Sequence, residues 1–153
     1  MICKPDHMSQ GKGIFLTHDV DALPLDELSV VQEYLNEPYL IDGLKFDMRV
    51  YVLVMSSDPL KIFVHKEGLV RFATQAYRPV DLKDDKDFLS NMFIHLTNYA
   101  LNKDNKDFKQ ARSIDDTAGH KRSITSLWKH LGDKSPQVLQ GIHDIVIKTM
   151  LSI

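Results

Sequence analysis

Between residues 45 and 55 apolar side chains recur at period two. Phe46, Met48, Val50, Val52 and Val54 share one face, while Lys45, Asp47 and Arg49 open the other, followed by Tyr51, Leu53 and Met55. This spacing predicts one long strand whose first end carries a plus–minus–plus row beside an otherwise apolar surface. Upstream, Ile2 to Lys4 reads as a short extended stretch ahead of Pro5, then a polar loop over residues 6–13, then the apolar run Ile14-Phe15-Leu16: strand, loop, strand. Residues 21–28, with Leu23, Leu25 and Leu28, read as a loop and a short helical turn, and Val30 to Leu35 is β-rich. Asp58-Pro59 marks a turn. Residues 61–66 and 69–73 read as a hairpin around Glu67-Gly68.

The second half of the chain turns polar. Residues 79–87 form a charged loop, residues 88–105 carry no clear period, and residues 102–120 read as a polar, mobile stretch. Ser123 can cap a helix carrying Leu127, Trp128 and Leu131, with Gly132 as its stop. Ser135-Pro136 opens another helix, with Leu139, Ile142, Ile145, Val146 and Met150 at helical spacing. That stripe is expected to cover a sheet. No stop signal precedes Ile153, which reads as a chain that continues.

Composition narrows the classes. The 153 residues are 43% hydrophobic, enough for a core in one domain of ordinary size. Nineteen basic against 21 acidic residues give a net charge of −2, which argues against a general nucleic-acid binder. No apolar run approaches a membrane span, and the start has no signal-peptide core. Cys3 is the only cysteine, so an internal disulfide is excluded and a cytosolic setting is expected.

Four places offer chemistry. Lys4 with Gln10-Gly11-Lys12-Gly13 combines cations with a free backbone, as a flap over phosphates would, but turn statistics favour a plain hairpin loop. Lys45-Phe46-Asp47-x-Arg49 is equally well read as a solvated ion-pair row or as the rim of a buried site. Arg71, alone in an apolar strand, is either an edge residue with its head in water or a planar fork for a carboxylate or phosphate. His95-Leu96-Thr97-Asn98-Tyr99, with Asn102, has the polar density of a catalytic loop. The seven histidines show no metal-binding spacing and read as structural or surface residues.

Taken in order, six stretches resemble the tubulin-tyrosine-ligase-like family, closest to its glutamylating branch. They are Ile2-Cys3-Lys4-Pro5, Gln10-Gly11-Lys12-Gly13-Ile14-Phe15, Val31-Gln32-Glu33-Tyr34-Leu35, residues 42–51, residues 67–74, and residues 95–103. The resemblance implies an α/β (α+β) ATP-grasp core, a mixed or antiparallel sheet with flanking helices, incomplete at both ends. Residues 1–153 would be part of one catalytic domain.

It further implies an ATP-dependent ligase that joins glutamate to glutamate side chains of acidic tubulin tails through an acyl phosphate. In that reading Lys4 holds the ATP phosphates while Gln10 and Gly11 close over them, Gln10 also facing the protein substrate. Gln32, Glu33, Tyr34 and Leu35 read adenine, with Leu35 packed on the base. Lys45, Phe46 and Asp47 line the ribose and phosphates, and Thr97 and Asn98 close the nucleotide site. Arg71 binds the incoming glutamate, with Tyr99 and Lys121 nearby. Arg49 and Arg71 are the catalytic cations. Mg²⁺ is implied, with its ligands, including a Glu-x-Asn element, expected beyond Ile153, so residues 1–153 alone are expected to be inactive. Tubulin or microtubules and free glutamate are the implied partners, with no nucleic acid or membrane. The cytoplasm and cytoskeleton, or a cilium or basal body, are the implied places. A glycine-adding ligase and a catalytically dead nucleotide- or microtubule-binding member are the alternatives.

Overall fold

The computed structural model describes residues 1–24, 26–81, 83, 86–113 and 116–152. Its elements in chain order are β1 (Ile2–Pro5), β2 (Phe15–Leu16), β3 (Ser29–Gln32), β4 (Leu40–Ile41), β5 (Leu44–Arg49), β6 (Val52–Ser57), β7 (Leu60–Val64), β8 (Leu69–Phe72), α1 (Lys86–Ser90), α2 (Met92–His95), α3 (Tyr99–Asn102), β9 (Lys121–Ser123), α4 (Ile124–Leu131) and α5 (Ser135–Leu151), with a single 3-10 turn between the last two helices. This is an α+β architecture. The chain divides into two compact units, Met1–Asp47 with Arg71–Lys109, and Met48–Val70 with Gln110–Ile153. It passes from one unit to the other within β5 and returns within β8.

In the first unit β1 is the central strand of a three-stranded sheet ordered β2-β1-β3, antiparallel on both sides, with Ile2 opposite Leu16 and Gln32, and Lys4 opposite Val30. Ile2, Leu16, Leu89 and Leu96 form its core, with Ile14, Tyr34, Val80, Met92 and Leu101 packed against them. Pairing of β4 with β5 places Leu40 opposite Lys45, and β8 is the next strand after β5. The three helices α1 to α3 occupy residues in which the sequence shows no period. Buried Asn102 ties down the end of α2 and the start of α3. Its Oδ1 accepts from the Thr74 amide at 3.0 Å and hydroxyl at 2.8 Å, and its Nδ2 donates to the carbonyls of Leu96 at 2.8 Å and Asn98 at 3.1 Å. Residues 21–23 make a plain turn, not a helical one, closed by Leu23 N–H on the Val20 carbonyl at 3.1 Å; Leu25 lies outside the described residues.

The second unit departs from the sequence reading in two places. The strand expected over residues 45–55 is two strands, broken at Val50 and Tyr51. The Tyr51 carbonyl accepts from His65 N–H at 2.8 Å, which commits it to the β7 side, and β6 pairs with β7 antiparallel around Asp58-Pro59. The hairpin expected at Glu67-Gly68 does not form, because β7 is bonded to β6 while β8 lies between β5 and β9. Glu67 and Gly68 are used by α4 instead. The Glu67 carboxylate accepts from Ile124 N–H at 2.8 Å, Thr125 N–H at 3.2 Å and the Thr125 hydroxyl at 2.6 Å, and the Gly68 carbonyl accepts from Ile124 N–H at 3.1 Å. A Cβ on Gly68 would stand 2.4 Å from the Arg49 carbonyl oxygen, so no other residue fits there.

The helix signals hold. Ser123 accepts from Ser126 N–H at 3.1 Å, Gly132 ends α4 with φ 53°, and Pro136 sits in the first turn of α5. None of the described residues of α5 is fully buried, and Ile142, Val146 and Met150 of its apolar stripe are half-buried. With Ile62, Phe63 and Val64 of β7, α5 lines an open groove with His143, Val146 and Ile147. No helix among the described residues is long and apolar enough to cross a membrane.

Glu67 gives a first expected result. Burial opposes its ionisation, but the Thr125 hydroxyl and the helix amides outweigh burial and hold the carboxyl below its ordinary 4.5. A depressed pKa stabilises the fold in full above that value, and the stabilisation is lost as pH falls through the lower folded-state value. Glu67→Ala should therefore cost roughly 0.5–2 kcal/mol near neutral pH, the usual range for a lost cap. The difference in Tm between it and the unaltered protein should shrink in acid below 4.5. A constant difference across pH would show that the carboxylate is not what holds α4.

Candidate active site

Lys4 and Lys45 supply two ammonium groups in the first unit. On β1, Lys4 donates to Gln32 Oε1 at 2.6 Å. Lys45 on β5 donates to the Tyr34 hydroxyl at 3.0 Å and lies 4.4 Å from that ring's centroid and 5.8 Å from the Tyr77 ring. Burial, then the Lys4 charge, push the Lys45 ammonium down to about 8, and the Asp47 carboxylate opposes them only in part. Two cations that repel one another, one on each of two sheets, are prepared for an anion that would neutralise both.

The segment after β3 stands beside them. Met1, His18, Val31, Gln32, Glu33, Tyr34, Asn36 and Val80 line an open cleft of about 430 Å³. Asn36 fixes its floor by a pair of bonds to Val80, accepting from its N–H at 2.6 Å and donating to its carbonyl at 2.9 Å, while the Tyr77 hydroxyl donates to the Asn36 carbonyl at 2.9 Å. Leu35 is 79% exposed and does not line this cleft. The Tyr34 side chain turns inward, where burial and then the Tyr77 hydroxyl push its phenol well up, so it stays protonated.

Two residues along β5 from Lys45, Asp47 meets Arg71 of β8 through a two-pronged pair. Arg71 Nε donates to Oδ1 at 2.8 Å, and Nη2 donates to Oδ2. The Arg71 guanidinium is held as a planar fork on an internal carboxylate. Phe46, on the opposite face of the same strand, spends its ring on packing, 5.6 Å from Phe72 and 6.4 Å from Tyr39.

The glycine-containing loop comes to the same unit. Gln10, Gly11 and Gly13 all take positive φ (64°, 86° and 71°), and a Cβ on Gly11 would lie 3.1 Å from Asn98 Cγ and Oδ1. Gly11 therefore packs directly on Asn98, next to buried Thr97, and the loop and the Thr97-Asn98 pair are brought together. Tyr99 is partly exposed, its ring 5.8 Å from Phe108. Arg49, exposed at the end of β5, and Lys121, at the start of β9, belong to the second unit. Sequence reasoning set His95 in a stretch with the polar density of a catalytic loop but read the histidines as structural or surface residues, and gave the Tyr34 side chain no part; the two are bonded to one another at 3.1 Å.

A group of three or more His, Cys, Asp or Glu placed to hold a metal ion is absent among the described residues. Lys4 and Lys45 form a cationic pair beside an open cleft, a charge pattern that would accept phosphates.

That pair makes a pH dependence. A bound phosphate would hold Lys45 protonated, so affinity for ATP should fall as the pH passes about 8, with proton uptake on binding. Lys4→Ala removes a charge that lowers Lys45. It should weaken ATP binding near neutral pH and move the alkaline fall to higher pH. Calorimetric titration of ATP in two buffers of different ionisation enthalpy measures both, and an affinity independent of pH from 7 to 10 would remove Lys45 from the phosphate site.

The model of the tubulin-tyrosine ligase family matches residues 1–153. The chain is 48% identical over 155 residues to the "Probable beta-tubulin polyglutamylase" of Tetrahymena thermophila, 46% over 154 residues to "Tubulin polyglutamylase TTLL13" of Mus musculus, and 44% over 156 residues to "Tubulin monoglutamylase TTLL4" of Mus musculus. Each alignment takes in 99% of this chain but only 13%, 18% and 12% of those proteins' own lengths. With all of residues 1–153 matched, the chain belongs to the tubulin-tyrosine ligase family.

Proposed function

We propose that this chain carries the nucleotide-facing part of an ATP-dependent ligase that adds glutamate to glutamate side chains of tubulin tails. The observation that carries the reading is the row on β5 and β8: Lys45 beside Lys4 and the Gln32–Tyr34 cleft, then Asp47 gripping the fork of Arg71. A phosphate-binding cation and a carboxylate-binding cation in one unit are what such a ligase needs.

The chemistry explains the demand. A carboxylate is a poor acyl donor. Transfer of the γ-phosphoryl of ATP to the acceptor side chain gives an acyl phosphate and ADP; the amine of free glutamate attacks the acyl carbon, phosphate leaves, and an isopeptide bond forms. Phosphoryl transfer is mostly positioning and charge neutralisation. In this proposal Lys4 and Lys45 neutralise the phosphates, and Gln32, Glu33 and Tyr34 hold the base in the cleft. Asp47 serves the ribose and phosphate side, and Gln10, Gly11, Thr97 and Asn98 close over the nucleotide. Leu35 reaches the base only if the segment rearranges. Arg71, with Tyr99, receives glutamate. Mg²⁺ would supply further neutralisation when bound with the nucleotide. A microtubule-associated location, cytoplasmic or ciliary, follows from such an acceptor.

Glutamate is the amino acid to offer first because the relatives' names are those of glutamylases. The test gives the protein, ATP and tubulin with labelled glutamate or labelled glycine, and reads incorporation into tubulin tail peptides by mass spectrometry. ATP-dependent glutamate incorporation is expected. Glycine incorporation would reassign the amino acid, and nucleotide binding without incorporation of either would favour a non-catalytic member.

A further inference from the structure

The Lys45 ammonium is held at the end of a chain of hydrogen bonds that the proposed chemistry does not by itself require. Lys45 Nζ donates to Tyr34 Oη at 3.0 Å, Tyr34 Oη lies 3.1 Å from His95 Nδ1, and His95 Nε2 lies 3.1 Å from the Phe88 carbonyl oxygen. A carbonyl can only accept, so Nε2 carries the proton. In the neutral ring Nδ1 is then the acceptor, and the Tyr34 hydroxyl donates to it. The Tyr34 proton thus points away from Lys45 and the oxygen lone pair points toward it. One backbone carbonyl sets the polarity of the whole chain.

The surroundings keep the ring in that state. His95 is 1% exposed, with Tyr34, Tyr77 and Phe88 edge-on to it at 5.7, 6.3 and 5.1 Å between centroids. Burial among aromatic rings disfavours an imidazolium. A proton on Nδ1 would also turn the Tyr34 hydroxyl hydrogen toward the ammonium and break the Lys45 bond. Among the described residues, the groups facing Lys45 are Lys4, Asp47, Tyr34 and Tyr77; of these Tyr34 is the hydrogen-bond acceptor.

We infer that Tyr34 and His95 are positioning residues for Lys45, a relay from the Phe88 carbonyl that fixes the ammonium where an anionic phosphate is received. The inference rests on the reading of Lys45 as a phosphate-binding cation. Its physical gain is preorganisation. A lysine side chain carries large rotamer entropy, and pinning it in the folded protein spares most of that loss at binding. Nζ has three N–H donors. One is spent on Tyr34, leaving the others for phosphate oxygens.

The test uses the full chain, with ADP and adenosine as probes and nitrogen NMR of His95 and Lys45. Tyr34→Phe keeps the ring and the cation–π contact but deletes the acceptor. It should weaken ADP binding by about tenfold, the scale of one hydrogen bond to a charged group, and weaken adenosine binding far less, since the ring that lines the cleft is kept. His95→Asn, whose amide oxygen can stand near the place of Nδ1, should retain more ADP affinity than His95→Leu. In the unaltered chain His95 should show a protonated Nε2 and an unprotonated Nδ1, and Tyr34→Phe should lower the pH at which Lys45 titrates. A proton on Nδ1 at neutral pH, or a Lys45 titration unmoved by Tyr34→Phe, would overturn the relay. Equal losses for ADP and adenosine would overturn it too, by placing Tyr34 in the base cleft alone. If the unaltered chain binds no ADP, the phosphate reading of Lys45 fails, and the His95 and Lys45 resonances still decide whether the relay exists.

Discussion

Replacing Arg71 with alanine is expected to raise the KM for glutamate by about a hundredfold or more, within the roughly 2–5 kcal/mol lost when one partner of a hydrogen-bonded charge pair is truncated. Two effects add. The incoming carboxylate loses its two-pronged partner, and Asp47 is left without the fork that now holds it. Because Asp47 faces the nucleotide side in the proposed site, the KM for ATP should also rise, but far less. Arg71→Lys should rescue poorly, since an ammonium cannot make two parallel bonds to a planar carboxylate. The geometry adds a point that the sequence does not carry: glutamate must share or displace the Asp47 contact to reach the guanidinium. Steady-state kinetics with both substrates varied, alongside thermal unfolding of each variant, measure this. Equal rises in both KM values with a lowered Tm would mean that Arg71 serves the fold.

Lys45→Met should lower turnover by about 10²–10³, the scale of removing one preorganised donor from developing charge. Methionine keeps most of the length and apolar body of lysine, so the contact over Tyr34 survives while the charge does not. Single-turnover rates at saturating ATP separate this loss from weaker binding. A change of only a few-fold would show that the Lys45 charge is not spent on the transferred group.

Local chemistry was legible in the sequence where the deciding partners are near in the chain. The Ser123 cap, the Gly132 stop and Pro136 in the first turn of α5 need only neighbours within a few residues. The charged row at Lys45, Asp47 and Arg49 and the isolated Arg71 could be singled out because charges stand out against an apolar strand. What they touch could not. The break at Val50 is invisible because the alternation of apolar residues runs through it with no glycine or proline to mark it. Glu67-Gly68 read as a turn because its partners, the amides of Ile124 and Thr125, are 57 and 58 residues away. The helices α1 to α3 are four or five residues each, too short to show a period or to stand without tertiary support. The partner of His95 was hidden for the same reason as those of Glu67: its bond to Tyr34 spans 61 residues.

The central claim is that this site activates an acceptor carboxylate by phosphorylating it. The most direct measurement labels the side-chain carboxylates of a tubulin tail peptide with heavy oxygen, runs the reaction with ATP and glutamate, and reads the phosphate released by mass spectrometry. One heavy oxygen carried into phosphate for each isopeptide bond formed is the expected result. Phosphate free of the label, with glutamate still incorporated, would contradict the account.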